Sequence, residues 1–465
     1  MIRSLTAVMI LAATSLNWSS TIQAEEASKE PIAFGDIISI GTTDMNPADQ
    51  FLQPTADGDV LLSWTEDGEG KRARNAFLAT VDSQGKLGES RQINDEPGSV
   101  HWYGGDNRLK YTVAPDGGIT VVYASPLDAF KTGVVKTTRA TKDGDFKPSK
   151  WLNDDDNDPP VAHAFATVAA SPNGKIYATW IDGRNRTFLG MAEPEAPSER
   201  RKDIKMRDLT IPESVMQMGP QTRRNFVEEN SQLFMAISED GGETFDTNYP
   251  ITEINVCACC MPTISFLDSG DTVIVSYREV GEGYLRDNVV IRSTDGGKTF
   301  SEPAFISEDG WIAKFCPHAG SSVIADRNDR IHSLWFTAGK QRVDDAGIYY
   351  TYSDDAGESF APRQLLDSTP AHTVLHAQVV EDASGRLWGV WENFLEGDQR
   401  KPQIFMAHRA PDATEWSERY LVSEGGITSM LPSLATDGTN IYVAWTEKNG
   451  ETSTVKLRTA SLVGS

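Results

Sequence analysis

The octapeptide SEDGGETF, residues 238–245, decides the fold because it returns twice, as STDGGKTF at 293–300 and SDDAGESF at 353–360. All three obey Ser-x-Asp-x-Gly-x-(Thr/Ser)-Phe, at spacings of 55 and 60 residues. Each copy reads as a hairpin turn. Its carboxylate (Asp240, Asp295 or Asp355) caps the turn, a glycine supplies the positive φ, and the aromatic plugs the gap between neighbouring sheets. Fainter copies surround Asp143 in TKDGDF and Asp412 in APDATEW, so one supersecondary unit is repeated along the chain.

Outward from these turns runs a second periodicity. Seven β-rich runs each follow a turn and end in an aromatic residue: GDVLLSW to Trp64, GGITVVY to Tyr123, GKIYATW to Trp180, GDTVIVSY to Tyr277, DRIHSLW to Trp335, GRLWGVW to Trp391 and GTNIYVAW to Trp445. Apolar residues alternate with small or polar ones, which is the strand period, and no helical period of similar length competes. The expectation is an all-β chain, one antiparallel β-propeller of seven blades over residues 34–465, with six blades as the alternative. The last run ends in TVKLRTASLV without a fourth strand, while residues 34–41, FGDIISIG, stand before the first unit as an orphan strand. Pairing the two near Leu457 would close the ring and hide both edges.

Residues 1–24 combine a basic Arg3, a short apolar run and a small residue, Ala24, which is the order of a cleavable secretory signal, followed by a linker at 25–33. No later stretch is long and apolar enough for a membrane helix. The protein is expected in the periplasm or secreted, where disulfides persist. A formal net charge of −24 disfavours nucleic acid as a partner.

The four cysteines are unevenly placed. Cys257, Cys259 and Cys260 fall in VCACCMP and Cys316 follows in FCPHAG. When the units are aligned on their turns, Cys259 lies eleven residues before Gly270, His163 eleven before Gly174 and His318 eleven before Asp329; Cys260, Cys316 and His376 fall close to that register. Neighbouring blades thus offer Cys or His at equivalent points. Three chemistries fit: disulfides, of which one would have to lie within CACC; a thiolate and imidazole site for Cu(I) or Zn(II), built from Cys257, Cys259, Cys260, Cys316, His318 and His163; or isolated buried thiols. Beside the cysteines, loops supply Asp182, Arg184, Arg278, Glu279, Arg286, Glu392 and His376, with Trp102 and Tyr103 from HWYGG. Converging on a channel mouth, they would form a pocket for a polar small molecule or glycan. A basic insertion at about 186–230 would serve as a lid or as a docking segment for a partner protein, including a metal-handling one.

The three octapeptides resemble the Asp box, or BNR repeat, of sialidase-like β-propellers. The CxCC motif with the later Cys316-Pro317 resembles bacterial Asp-box proteins labelled exo-α-sialidase. The resemblance implies that the boxes lie in turns between third and fourth strands, opposite the functional face, and that the CACC segment leads into an innermost strand at the channel mouth. It also implies glycosidase activity, for which sialidases use three carboxylate-binding arginines, the first opening blade 1. Here that place reads FLQP, with Leu52 where the arginine would stand, and the Tyr–Glu nucleophile pair has no assignable positions. Arg278 or Arg286 could still meet a carboxylate. Three functions therefore stand side by side: a metal-site propeller, a sialidase-type glycosidase, and a non-catalytic glycan- or protein-binding propeller.

Overall fold

The computed structural model describes residues 31–463 except 56, 70–72, 102–105, 128–132, 156–160, 186–229, 268, 282–284, 314–316, 341–344 and 370–374. Its sheets are seven antiparallel blades arranged as a β-propeller. Blade 1 starts with Ala48–Pro54, blade 2 with Lys110–Val113, blade 3 with His163–Ala170 and blade 4 with Thr263–Phe266. Ser322–Ala325, Ala377–Glu381 and Thr428–Thr436 start blades 5, 6 and 7. These seven strands are innermost, and neighbouring ones line a central channel of about 730 Å³. Six blades are excluded.

Each aromatic that ends a run sits on the second strand of its blade and is at most 3% exposed, so it fills the seam between blades. A buried tryptophan usually finds a partner for its indole N–H. Trp64 donates to Glu66 and Trp180 to Asp182, each two residues on, at 3.0 and 2.8 Å, and Trp445 donates likewise to Glu447 at 3.3 Å. Trp335 and Trp391 donate to Asp309 and Asp367 instead.

Blade 7 is built from both ends of the described chain. Thr452–Leu462 is its third strand, and Ile38–Ile40 pairs with it at Leu457, Lys456 and Val455, with Ile32–Phe34 pairing further along. The ring therefore has no open edge at this joint.

The three octapeptide turns are superposable in their bonding. Asp240 accepts from Ser238 Oγ at 2.7 Å, from Thr244 N at 2.9 Å and from Thr244 Oγ1 at 2.6 Å. Asp295 repeats the set with Ser293 and Thr299, and Asp355 with Ser353 and Ser359. These bonds to the charged form draw the Asp240 and Asp295 carboxyls down to about 2. The glycine is needed twice over at Gly242, where φ is +92° and a Cβ would stand 2.1 Å from Thr120 Oγ1. Phe245, Phe300 and Phe360 each pack on the apolar seam with the preceding blade. The turns between first and second strands lie at this same end, since Gly296 N donates to Asp271 O.

Candidate functional site

At the opposite end the chain enters the innermost strands, and there the backbone is irregular. Ladder register shifts between Ala48 and Phe51, Ala164 and Thr167, and Met430 and Ser433. Asp49, Phe165 and Leu431 lie within these bulges with φ of +56°, +54° and +55°, and His318 joins them at +56°. Left-handed backbone costs a non-glycine residue roughly 1 kcal/mol or more. Four such residues around one channel, against two, Asp329 and Ala356, in the turns at the other end, mark this end as the more strained one.

The cysteine segment belongs to this end. Val256–Cys257 pairs with Asn230–Ser231 of blade 3, and Val256 bridges to Glu279 of blade 4. Cys257, Cys259 and Cys260 are 0%, 3% and 1% exposed and pack among Phe165, Leu233 and Tyr277. The segment leads into the innermost strand of blade 4, but the sulfurs do not open on the channel. Met261 and Pro262 form the channel wall, and the cysteines lie behind it because the blade 3–4 seam offers them an apolar bed.

The sulfurs form a compact triangle, with Cys257–Cys259, Cys257–Cys260 and Cys259–Cys260 separations of 3.4, 3.6 and 3.9 Å. All three are far beyond the roughly 2.05 Å of a disulfide. Buried beside them are two arginines. Arg286 donates through Nη1 to Cys257 Sγ at 2.8 Å and through Nε to Ala313 O at 2.8 Å. Arg278 donates to Ala319 O and to Arg286 O, with its guanidinium 4.9 Å from the centre of the Trp311 ring. Burial pushes the Cys260 thiol up. Hydrogen bonds with Cys257 and Cys259, and the charges of Arg278 and His318, outweigh burial and hold the thiol well below its ordinary range.

Of the other sulfur and imidazole candidates, Cys316 lies outside the described residues. His318 stands with its ring 6.3 Å from that of Phe165. Among the described residues, the group whose ligand atoms all fall within 4.8 Å of one another is the three cysteines alone, without either histidine. His163 is held elsewhere: its Nδ1 meets Gly133 O at 2.9 Å and its Nε2 lies 3.2 and 3.3 Å from Asp155 and Asp182.

The expected polar pocket is largely dispersed. Asp182 is fully buried as the acceptor for Trp180, the place Glu66 and Glu447 hold in blades 1 and 7. Arg184 is bound to Asp182 and Asp154 and covers Phe234. Arg278 and Arg286 spend their donors on carbonyls and sulfur, and Glu279 accepts from Asn255 at 2.5 Å. Trp102 and Tyr103 lie outside the described residues. His376 alone of this set lines the channel, with Glu392 behind it accepting at 3.1 Å from Nδ1 while Nε2 donates to His318 O at 3.0 Å. Burial lowers the imidazole's pKa, but the Glu392 carboxylate outweighs it and raises the group to about 9.

The channel gains charges that the sequence reading passed over. Asp106, Arg108 and Lys110 alternate along the innermost strand of blade 2 and its approach, and all three line the channel beside His376. Residues at i, i+2 and i+4 of a strand share one face, and that signal in DNRLK could have found them. Arg108 binds Asp106 at 2.6 Å and three carbonyls, those of Gln50, Leu431 and Pro432.

No protein-family model matches the chain, and no curated protein does. Among solved structures it is similar to the polysaccharide lyase Uly1, with a TM-score of 0.52 and 11% identity over 97% of this chain and 96% of that one. It also resembles the Hadza microbial sialidase Hz136, with a TM-score of 0.45 and 13% identity over 85% and 74%. For a leech intramolecular trans-sialidase the figures are 0.44 and 11%, over 83% and 79%. Structural neighbours also include an alpha-L-arabinofuranosidase, and at these identities the likeness concerns the fold alone. Among the described residues no helix is long and apolar enough to cross a membrane.

Proposed function

We propose that this protein is an exported propeller that holds one soft metal ion, Cu(I) or Zn(II), on Cys257, Cys259 and Cys260. The sulfur triangle carries the reading. Its three edges define a circle of radius about 2.1 Å. An ion about 2.3 Å from each sulfur, the usual zinc–thiolate length, would stand about 0.9 Å off the sulfur plane, near the roughly 0.8 Å of a regular tetrahedron. Soft sulfur selects these ions over calcium or magnesium. Copper fits the charges better, because three thiolates around Cu(I) leave two negative charges beside the two buried guanidiniums of Arg278 and Arg286. The propeller prearranges the ligands, so the fold does not depend on the ion as a zinc finger does.

Metal analysis and thiol titration of protein purified under argon test this. The expected outcome is one ion per chain, lost in Cys260→Ser with the far-ultraviolet circular dichroism unchanged. Metal-free protein with oxidised cysteines would make them covalent staples and sink the proposal.

The residues do not favour sialoside hydrolysis. Leu52 is packed in the blade 7–1 seam, and Arg278 and Arg286 have their guanidiniums tied to backbone and sulfur. Losing a bidentate carboxylate contact in a desolvated site costs on the order of 2–5 kcal/mol. A fluorogenic sialoside should be cleaved little or not at all, and efficient turnover would reverse this assignment.

A further inference from the structure

We propose that the central channel is a second binding site, independent of the sulfur triangle, for a small organic anion with one carboxylate and an apolar body, held through Lys110. Lys110 opens the innermost strand of blade 2, lines the channel and is 8% exposed. Its ammonium lies 3.9 Å from the centre of the Phe51 ring and makes no hydrogen bond or ion pair among the described residues. Asp106 acts on it through space but is itself paired with Arg108, so this buried ammonium on an aromatic face is costly and wants an anion.

The other charges that line the channel are already matched. Arg108 neutralises Asp106, and Glu392 neutralises His376. Against burial, the charges of Arg108, Lys110 and His376 hold the Asp106 carboxyl below its ordinary range, so Asp106 remains the anion of Arg108. What is left over is one positive charge, which suits a monoanion better than a phosphate dianion. The rest of the wall includes Val113, Ile264, Ile324 and Val380, an apolar lining for the remainder of the ligand. The channel's 730 Å³ lies within the range of small-molecule sites. Burial, with Arg108 adding to it, lowers the free Lys110 amine to about 7, so an arriving carboxylate should draw a proton onto it at neutral pH.

Titration calorimetry of the full chain tests this with three probes: hexanoate, inorganic phosphate and hexylamine. Hexanoate is expected to bind with proton uptake at pH 7, seen as a heat that changes with the ionisation enthalpy of the buffer. The other two should bind at least tenfold more weakly, and Lys110→Met should weaken hexanoate at least tenfold while keeping the metal content of the parent. If Lys110→Met does not fold, the buffer-dependent proton uptake of the parent decides. The proposal falls if hexanoate fails to bind the parent at about 10 mM, binds with no proton uptake, or binds Lys110→Met equally well. Phosphate or hexylamine matching hexanoate would overturn it as well.

Discussion

The two ends of the blades solve the same problem in opposite ways. At one end, each Ser-x-Asp turn closes itself with bonds between residues two to four apart, and its carboxylate stays near solvent. At the other end, bonds cross the whole chain: Gln50 Nε2 donates to Leu431 O and Thr446 Oγ1 to Gln50 Oε1, and Arg108 spans blades 1 and 7. Charged groups there are buried, and four non-glycine residues carry left-handed backbone, against Asp329 and Ala356 in the turns of the first end. Self-contained turns give repeatable architecture. Long-range, strained polar contacts give a particular surface, at a cost to stability, and that is where binding sites are expected.

Substitutions of falling severity should separate the ends. The largest effect is expected from Arg286→Met, which removes the donor to Ala313 O and to the Cys257 sulfur in a fully buried place. A loss of about 3–5 kcal/mol in urea unfolding, together with release of the metal, would mark the strained end as one coupled unit. Retention of both would dissolve the contrast.

Of similar size is the pH dependence of Lys110→Met. With a folded value of about 7 against about 10.4 unfolded, Lys110 destabilises the parent below pH 7, and that penalty fades as pH rises through the window between the two values. The variant should therefore be more stable than the parent by on the order of 4–5 kcal/mol at pH 6 and equal to it near pH 11. Equal urea midpoints at pH 6 would contradict this.

His376 has the opposite sign. Its folded value of about 9 lies above the ordinary imidazole, so its pairing with Glu392 stabilises fully below about pH 6.5 and is lost as pH rises through 9. Glu392→Gln should cost about 3 kcal/mol at pH 6 and much less at pH 10, as read from thermal unfolding at the two values. A pH-independent loss would assign Glu392 to its bond from Leu431 N instead.

The smallest effect belongs to the regular end. Asp240→Ala removes the acceptor for Thr244 and Ser238 in an exposed turn, and about 1 kcal/mol is expected, with metal content unchanged. A larger loss, or any loss of metal, would show that the ends are not independent.

This same division explains what the sequence could reveal. Trp64, Tyr123, Trp180, Tyr277, Trp335, Trp391 and Trp445 were readable because each repeats one local rule, and the seven blades followed from them. The clustering of the cysteines was readable too, but their direction was not. Whether a sulfur faces the channel or the seam depends on Phe165, Leu233 and Tyr277, which lie on other strands. Asp182 looked like a pocket residue because it stands with Arg184 at a loop expected to converge on the channel mouth. Its role as indole acceptor shows only when Trp64-x-Glu66 and Trp445-x-Glu447 are laid beside Trp180-x-Asp182.

The joint in blade 7 imposes a timetable on synthesis. Ile38–Ile40 is made more than 400 residues before its partner Val455–Leu457, so it must wait through that stretch of synthesis before the two meet. The entropy of that closure grows only with the logarithm of the loop and is modest. The delay matters more. Until the clasp forms, the strand Thr452–Leu462 offers an unprotected edge to any chain nearby, and the segment that fits it best is the same clasp from another copy. Crowded refolding should therefore yield rings fastened by exchanged amino-terminal strands, and dilution during refolding should be the remedy.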